Sequence, residues 1–152
     1  MCIAFDLDDT LLCSRYRFPT EPPKKSFFAR VISYEQLREG TKELFEFCKA
    51  QGWQTWIYTT SYRTPSYIRR IFWLYGIRLD GVINQSIHER KVSVRSSKYP
   101  PTFGIDVLID DSKGVELEGQ KYSFKVCCIK VYEENWVQKI KKFLLESQNR
   151  SN

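Results

Sequence analysis

No apolar run in the sequence approaches the roughly 20 residues that a membrane-spanning helix requires. No secretory leader is expected: apolar residues begin at Cys2, yet Asp6, Asp8 and Asp9 stand where an apolar signal core would continue. Histidine is reduced to His88, expected on a surface loop because nothing in the pattern calls for a histidine base. The cysteines (Cys2, Cys13, Cys48, Cys127, Cys128) form an odd set without the paired spacing of a zinc site. Cys127 and Cys128 are neighbours within an apolar run, which suits buried thiols better than ligands. No internal repeat or low-complexity tract interrupts the chain. These absences exclude a helical membrane protein, a disulfide scaffold and a repeat array, and lead us to expect reduced thiols and a cytoplasmic location.

What is present describes one ordinary globular domain. The 152 residues are 42% hydrophobic and 28% charged, enough apolar surface for a real core. Cys2 to Phe5 is a short continuous apolar run, as in a strand buried on both faces. A helix is predicted from Gly40–Thr41, burying Leu44, Phe45 and Cys48, with Gly52 just past its end. Trp53 to Tyr58 alternates and is rich in aromatic and β-branched residues, so it reads as a second strand. Thr64-Pro65 opens another helix, with Thr64 as N-cap and Pro65 in the first helical position, running to about Tyr75 before Gly76. Further strands are expected at Val82-Ile83, Asp106–Ile109 and Lys125–Val131. A last amphipathic helix buries Trp136, Ile140, Phe143 and Leu144, ahead of a polar tail at 147–152. Tyr67, Ile68, Ile71, Phe72 and Tyr75 fall at helical spacing and read as core, while Arg69, Arg70 and Arg78 read as solvated.

Strands alternating with helices predict an α/β fold: a Rossmann-like three-layer sandwich around a mostly parallel sheet of about five strands, spanning 1–152 as a single domain. The Pro-rich stretch around Pro19, Pro22 and Pro23 marks an insert at about 11–34, a candidate flap because it follows the first strand directly.

In such sheets ligands bind at the carboxyl ends of the strands. The polar residues ending the predicted strands are Asp6, Thr59, and Asp110 with Asp111. Asp6 and Asp8 are two apart, so in a strict strand both point to one side. Two acids there, joined by a later acidic pair, are a cluster of like charges that a cation would neutralise. Oxygen-only ligands favour a hard ion, of which magnesium is the obvious one.

These residues resemble a known family. Phe5-Asp6-Leu7-Asp8-Asp9-Thr10-Leu11 matches the Asp-x-Asp-x-Thr motif that follows the first strand in the haloacid dehalogenase (HAD) superfamily. Ile57-Tyr58-Thr59-Thr60-Ser61 resembles its second motif, and Leu108-Ile109-Asp110-Asp111-Ser112 its last, an apolar strand ending in paired acids. The family also places a lysine between these. Lys98 stands twelve residues before Asp110, with Lys91 as a rival at nineteen.

The resemblance implies that Asp6 attacks phosphorus and forms an aspartyl-phosphate. Asp8 would protonate the leaving oxygen and then take a proton from water, its backbone carbonyl also touching the metal. The implied metal set is Asp6, Asp8, Asp110 and Asp111, holding Mg2+. Thr59 and the backbone N–H of Thr60 would hold phosphate oxygens, with Leu7 and Ser61 beside them, and Lys98 would neutralise charge. Thr10 would steady the turn. Asp9 has no family role and reads as a solvated turn acid. Haloacid dehalogenases attack carbon and lack the acid two residues after the nucleophile, so Asp8 favours phosphoester chemistry.

The 48 residues between Thr10 and Thr59 leave too few for an independent cap once a helix and strand are subtracted, which implies a capless or minimal-cap member. Such a site admits the phosphorylated end of something large. The chain's excess positive charge falls in two stretches bordering the expected site. Residues 11–34 carry Arg15, Arg17, Lys24, Lys25 and Arg30 against Glu21, and 84–101 carry Arg90, Lys91, Arg95 and Lys98 against Glu89. Arg15 and Arg17, interleaved with Tyr16 and Phe18, could contact phosphates and stack bases. The same charge also suits simple steering of any phosphate toward the acids. The expected partner is therefore a phosphorylated substrate, including a polyanion such as a nucleic-acid end or a phosphoprotein. A small phosphometabolite or nucleotide, and a non-catalytic binding or regulatory domain on this scaffold, stay open as alternatives.

Overall fold

The computed structural model describes residues 1–22 and 35–149. Lys24, Lys25 and Arg30 of the expected insert, and residues 150–152 of the tail, lie outside the described residues. Strand β1 (Cys2–Phe5) sits at the centre of the sheet, which is why its sequence is apolar on both faces. Beside it lie β2 (Gln54–Tyr58) and then β3 (Gly81–Ile83) on one side, and β4 (Val107–Asp110) and then β5 (Lys125–Cys128) on the other. All pairings are parallel, and the five strands run in the order β3-β2-β1-β4-β5. The chain works outward from β1 to β3, then returns to the opposite side of β1. The order therefore reverses between β1 and β4, and a crevice opens above their carboxyl ends.

Helices cover both faces. On one, α1 (Thr41–Ala50), α2 (Pro65–Leu74) and α5 (Trp136–Asn149) pack Leu44, Phe45, Ile68, Ile71, Phe72, Ile140 and Leu144 onto Ile3, Phe5, Ile57, Val107 and Ile109. On the other, α3 (Gln85–Lys91), a 3-10 turn (Pro100–Phe103) and α4 (Lys113–Tyr122) place Ile87, Phe103 and Val115 against Ala4, Tyr58, Ile83 and Leu108. The strand residues divide between the two cores by alternate positions, as the period of two requires. Gly81 must be glycine: a Cβ there would lie 2.1 Å from Trp56 Cδ2.

Local signals behave as expected at α2, where the Thr64 hydroxyl accepts the Tyr67 N–H at 3.3 Å ahead of Pro65. Three expectations change. Residues 85–91, where His88 was expected on a surface loop, form α3, because the Asn84 side chain caps its start by accepting the Ile87 N–H at 3.0 Å. The tail is helical through Asn149, and Ser147 is buried. The last strand stops at Cys128 rather than Val131. Cys127 is buried, Cys128 is half-buried, and all the cysteines are free. Among the described residues no helix is long and apolar enough to cross a membrane.

Candidate active site

The backbone leaves β1 still paired to β4, the Asp6 N–H donating to the Ile109 carbonyl at 2.8 Å. This places Asp6 beside Asp110, the last residue of β4. Carboxylate oxygens of Asp6, Asp110 and Asp111 all lie within 4.8 Å of one another. The Lys98 ammonium sits between the first two, hydrogen-bonded to Asp6 Oδ1 and, at 2.5 Å, to Asp110 Oδ2. Lys98 is only 2% exposed, so this is a buried ionic cluster with more negative than positive charge. Thr10 Oγ1 stands 3.0 Å from Asp6 Oδ2 and 3.1 Å from Asp111 Oδ1, and its single proton serves one carboxylate at a time.

Burial pushes the Asp6 carboxyl up to about 6; Lys98 opposes that shift and the Asp110 charge adds to it. Asp111 is raised as well, first by burial and then by the Asp6 charge. Burial alone would lower the Lys98 ammonium, but the Asp6 and Asp110 carboxylates outweigh it and hold Lys98 above its ordinary value. Acids that resist ionising together, offering only oxygen donors, suit a hard divalent cation. The set therefore fits such an ion, with Asp6, Asp110 and Asp111 as the residues able to hold it.

Lys98 reaches the cluster from a loop held on two sides. Glu118 on α4 accepts from the Ser97 backbone N–H at 2.8 Å and the Ser97 hydroxyl at 2.6 Å. The Tyr99 N–H donates to the Tyr58 hydroxyl at 2.9 Å. That hydroxyl in turn lies 2.5 Å from His88 Nδ1. His88 is thus a buried structural residue of α3, not a surface one, and burial lowers its pKa. Lys91, the rival lysine, is exposed at the end of α3.

The loop after β1 is wound tightly. The Leu11 and Leu12 N–H groups both donate to the Leu7 carbonyl, at 3.0 and 2.8 Å. Asp9 adopts a left-handed backbone, φ 61°, which an aspartate tolerates better than most residues. It is buried, and its Oδ1 accepts the backbone N–H groups of Ser14, Arg15 and Tyr16 at 3.2, 2.8 and 3.2 Å. Asp9 therefore organises the loop rather than standing in solvent.

A cleft of about 540 Å³ opens over the acids, lined by Asp6, Asp8, Arg15, Thr60, Lys98, Asp110 and Asp111, with Asp9, Ser14, Ser97, Ser112 and Arg63 at its sides. Other predicted positions lie apart from it. Leu7 puts its side chain in the core. Thr59 is buried, its hydroxyl accepting the Ser61 N–H at 3.1 Å, and neither residue lines the cleft. Arg17 lines a different groove, alongside Phe18, Arg38 and Trp136. Of the second basic stretch only Ser97 and Lys98 reach the cleft; Arg90, Lys91 and Arg95 are exposed elsewhere. The Asp8 carboxylate is outside the three-acid cluster and pairs with Arg63 through two hydrogen bonds, at 2.9 and 3.0 Å. Arg63 was not anticipated. Its only sequence signal is position: it ends the loop that leaves the carboxyl end of β2, immediately before the Thr64 cap.

No family model and no curated protein matches the sequence. Solved structures do match the fold. A HAD-superfamily hydrolase, subfamily IA, variant 1, from Geobacter sulfurreducens PCA superposes with a TM-score of 0.56 at 13% identity, covering 84% of this chain and 85% of that one. A predicted HAD-like family hydrolase from Porphyromonas gingivalis gives a TM-score of 0.52 at 14% identity, covering 94% and 97%. A chain of the Pnkp1/Rnl/Hen1 complex gives 0.53 at 14% identity, and here the match spans 85% of this chain but only 45% of the larger one. The fold is HAD-like.

Proposed function

We propose that the protein is a magnesium-dependent phosphomonoester hydrolase that works through an aspartyl-phosphate on Asp6. The observation that carries this reading is the union, at the β1 and β4 ends, of Asp6 with Lys98, Asp110 and Asp111, beneath a cleft that also receives Asp8. An Asp6 oxygen forms a bond to phosphorus as the ester P–O bond breaks, and Asp8 gives its proton to the departing oxygen. Water then attacks the phosphorus of the acyl phosphate, Asp8 takes its proton, and inorganic phosphate leaves with Asp6 restored. Lys98 balances charge on Asp6 and on the phosphate, and Thr60, which lines the cleft, would offer its backbone N–H to a phosphate oxygen. Mg2+, held by Asp6, Asp110 and Asp111, would neutralise the acids and the phosphate that approaches them.

The decisive experiment is hydrolysis of a generic aryl phosphate by wild type and Asp6→Asn, with magnesium and with chelator. Activity only with magnesium, and a loss of orders of magnitude in the variant, is the expected result. Equal rates in both proteins would remove Asp6 as the nucleophile. A binding domain without catalysis would show no hydrolysis by wild type on any phosphoester.

For the substrate, the reading we favour is a phosphate at the end of a polynucleotide. The connection from β3 to β4 holds only α3 and a short 3-10 turn, which leaves room at the cleft for the end of a long substrate. Arg15 lines the cleft, and the next residue, Tyr16, is 43% exposed and meets the 66% exposed Tyr132 edge to face at 5.7 Å, an aromatic surface on which bases can stack. The likeness to a chain of the Pnkp1/Rnl/Hen1 complex is compatible with it. KM for a phosphorylated oligonucleotide should then rise steeply between roughly 50 and 200 mM salt, whereas KM for a sugar phosphate should change little. The same weak salt response for both would favour a small phosphometabolite.

A further inference from the structure

Arg63 holds the candidate acid. Its Nη1 and Nη2 donate to Asp8 Oδ2 and Oδ1 at 2.9 and 3.0 Å, and Nη2 donates again to Glu35 Oε1 at 2.5 Å. Among the described residues no other donor reaches the Asp8 carboxylate. The backbone beneath Arg63 is fixed from two directions. Its carbonyl accepts from buried Asn84 Nδ2 at 3.0 Å, the same side chain whose oxygen caps α3, and the following residue, Thr64, caps α2. The guanidinium therefore projects into the cleft from a rigid turn.

Glu35 comes from a different part of the chain, the segment that leads into α1. Just beyond it Leu37 bridges to Leu12, and Arg38 bridges to Thr20. Arg38 is itself clasped between the Phe18 and Trp136 rings, at 4.8 and 4.7 Å. Arg63 thus ties together the loop after β1, the β2–α2 turn and the segment before α1.

The fork meets Asp8 as a carboxylate, so Asp8 takes up from solvent the proton that it later gives to the leaving oxygen; what the fork supplies is aim, because a planar two-pronged donor fixes a carboxyl group's orientation in a way that a lysine cannot. We propose that Arg63 is a positioning residue for Asp8, and that its second arm, to Glu35, makes the aim of Asp8 depend on how residues 35–38 are seated against the loop after β1. The proposal rests on the phosphatase reading.

The test uses phosphate esters whose leaving groups range from nitrophenol to simple alcohols, with wild type, Arg63→Met, Arg63→Lys, Glu35→Gln, Asp8→Asn and the Asp8→Asn/Arg63→Met double variant. A nitrophenolate leaves readily without a proton, and an alkoxide does not. For Arg63→Met we expect kcat to fall by about a hundredfold on alkyl esters but by less than about threefold on nitrophenyl phosphate. Arg63→Lys should fall between wild type and the methionine variant. Glu35→Gln, which leaves the fork to Asp8 intact, should show the same leaving-group pattern in weaker form. The double variant should be no slower than Asp8→Asn, because both substitutions remove one function. Thermal unfolding of each variant separates misfolding from misaiming. An equal fractional loss on every ester, a change in KM alone, or additive losses in the double variant would overturn the proposal and make Arg63 a phosphate binder. Absence of Asp6-dependent hydrolysis in the wild type would instead overturn the phosphatase reading itself, and the role of Arg63 with it.

Discussion

Consider Lys98→Met in the metal-free protein. The substitution keeps the length and bulk of the side chain but removes the ammonium that now sits between Asp6 and Asp110. At 4.8 Å, the outer limit of the three-acid cluster, two like charges repel by about 3.5 kcal/mol at an effective dielectric of about 20. Breaking a buried ion pair from one side costs roughly 3–5 kcal/mol, because the remaining charge stays out of water. For a domain of this size each kcal/mol moves Tm by about 2–4 °C, so the variant should melt about 6–20 °C below wild type at pH 8 in chelator.

The pH dependence has a definite sign. Lys98 titrates higher in the folded protein than unfolded, so its stabilising contribution is complete below the ordinary lysine range and is lost only above it. Asp6 also titrates higher when folded, at about 6, so between its ordinary value and there the native state binds more protons. Over that window stability therefore falls as pH rises. At pH 5, below that value, Asp6 is largely protonated with or without Lys98, so the like-charge repulsion is already relieved. The penalty at pH 5 should be clearly smaller than at pH 8. Magnesium should raise Tm more in the variant than in wild type, since it meets acids no longer shared with an ammonium. Thermal unfolding followed by circular dichroism, at both pH values with chelator and with magnesium, measures all of this. A Tm within about 2 °C of wild type, or a penalty equal at pH 5 and pH 8, would refute the electrostatic reasoning.

Tyr58→Phe should cost about 2–4 kcal/mol, because it strands both the Tyr99 N–H and His88 Nδ1. It should also lower kcat, since Tyr99 anchors the loop beside Lys98; denaturant titration and steady-state kinetics check the two effects. Asp9→Ala should destabilise by about 2–4 kcal/mol through loss of an acceptor for three backbone N–H groups, whereas Asp9→Asn keeps the oxygen and most of the stability. Equal losses for the two would contradict that account. Gly81→Ala should destabilise by at least about 1–3 kcal/mol because its Cβ falls inside the Trp56 ring, and Trp56→Leu in the same chain should recover part of the loss in denaturant titration.

The sheet was legible from local pattern. Cys2–Phe5 and Val107–Ile109 are apolar throughout because the centre of a parallel sheet is covered on both faces, and the acids that break each run, Asp6 and Asp110, mark the strand ends. Thr64-Pro65 announces α2 by capping chemistry that needs only neighbours in sequence. Helix α4 carried no such signal: only Val115 and Gly119 of Lys113–Tyr122 are buried, too few to show a periodic face. Short α3 is polar and was hidden in what looked like a basic loop.

That Asp6, Asp110 and Asp111 meet could be inferred from sequence alone, because strand direction carries the ends of β1 and β4 to one edge of the sheet; the Asp8 carboxylate, expected with them, turns to Arg63 instead. Between Lys98 and Lys91, spacing did not choose, since loops of either length could reach. The choice came from folding: Glu118, Tyr58 and His88, distant in sequence, pull one loop inward and leave Lys91 exposed on its helix. The burial of Asp9 and His88 and the grip of Arg63 on Asp8 and Glu35 follow the same rule. A side chain's tendency to end a strand or cap a helix is set by its immediate neighbours. Whether a charge is solvated, paired or aimed depends on groups that only the tertiary fold brings within hydrogen-bonding distance.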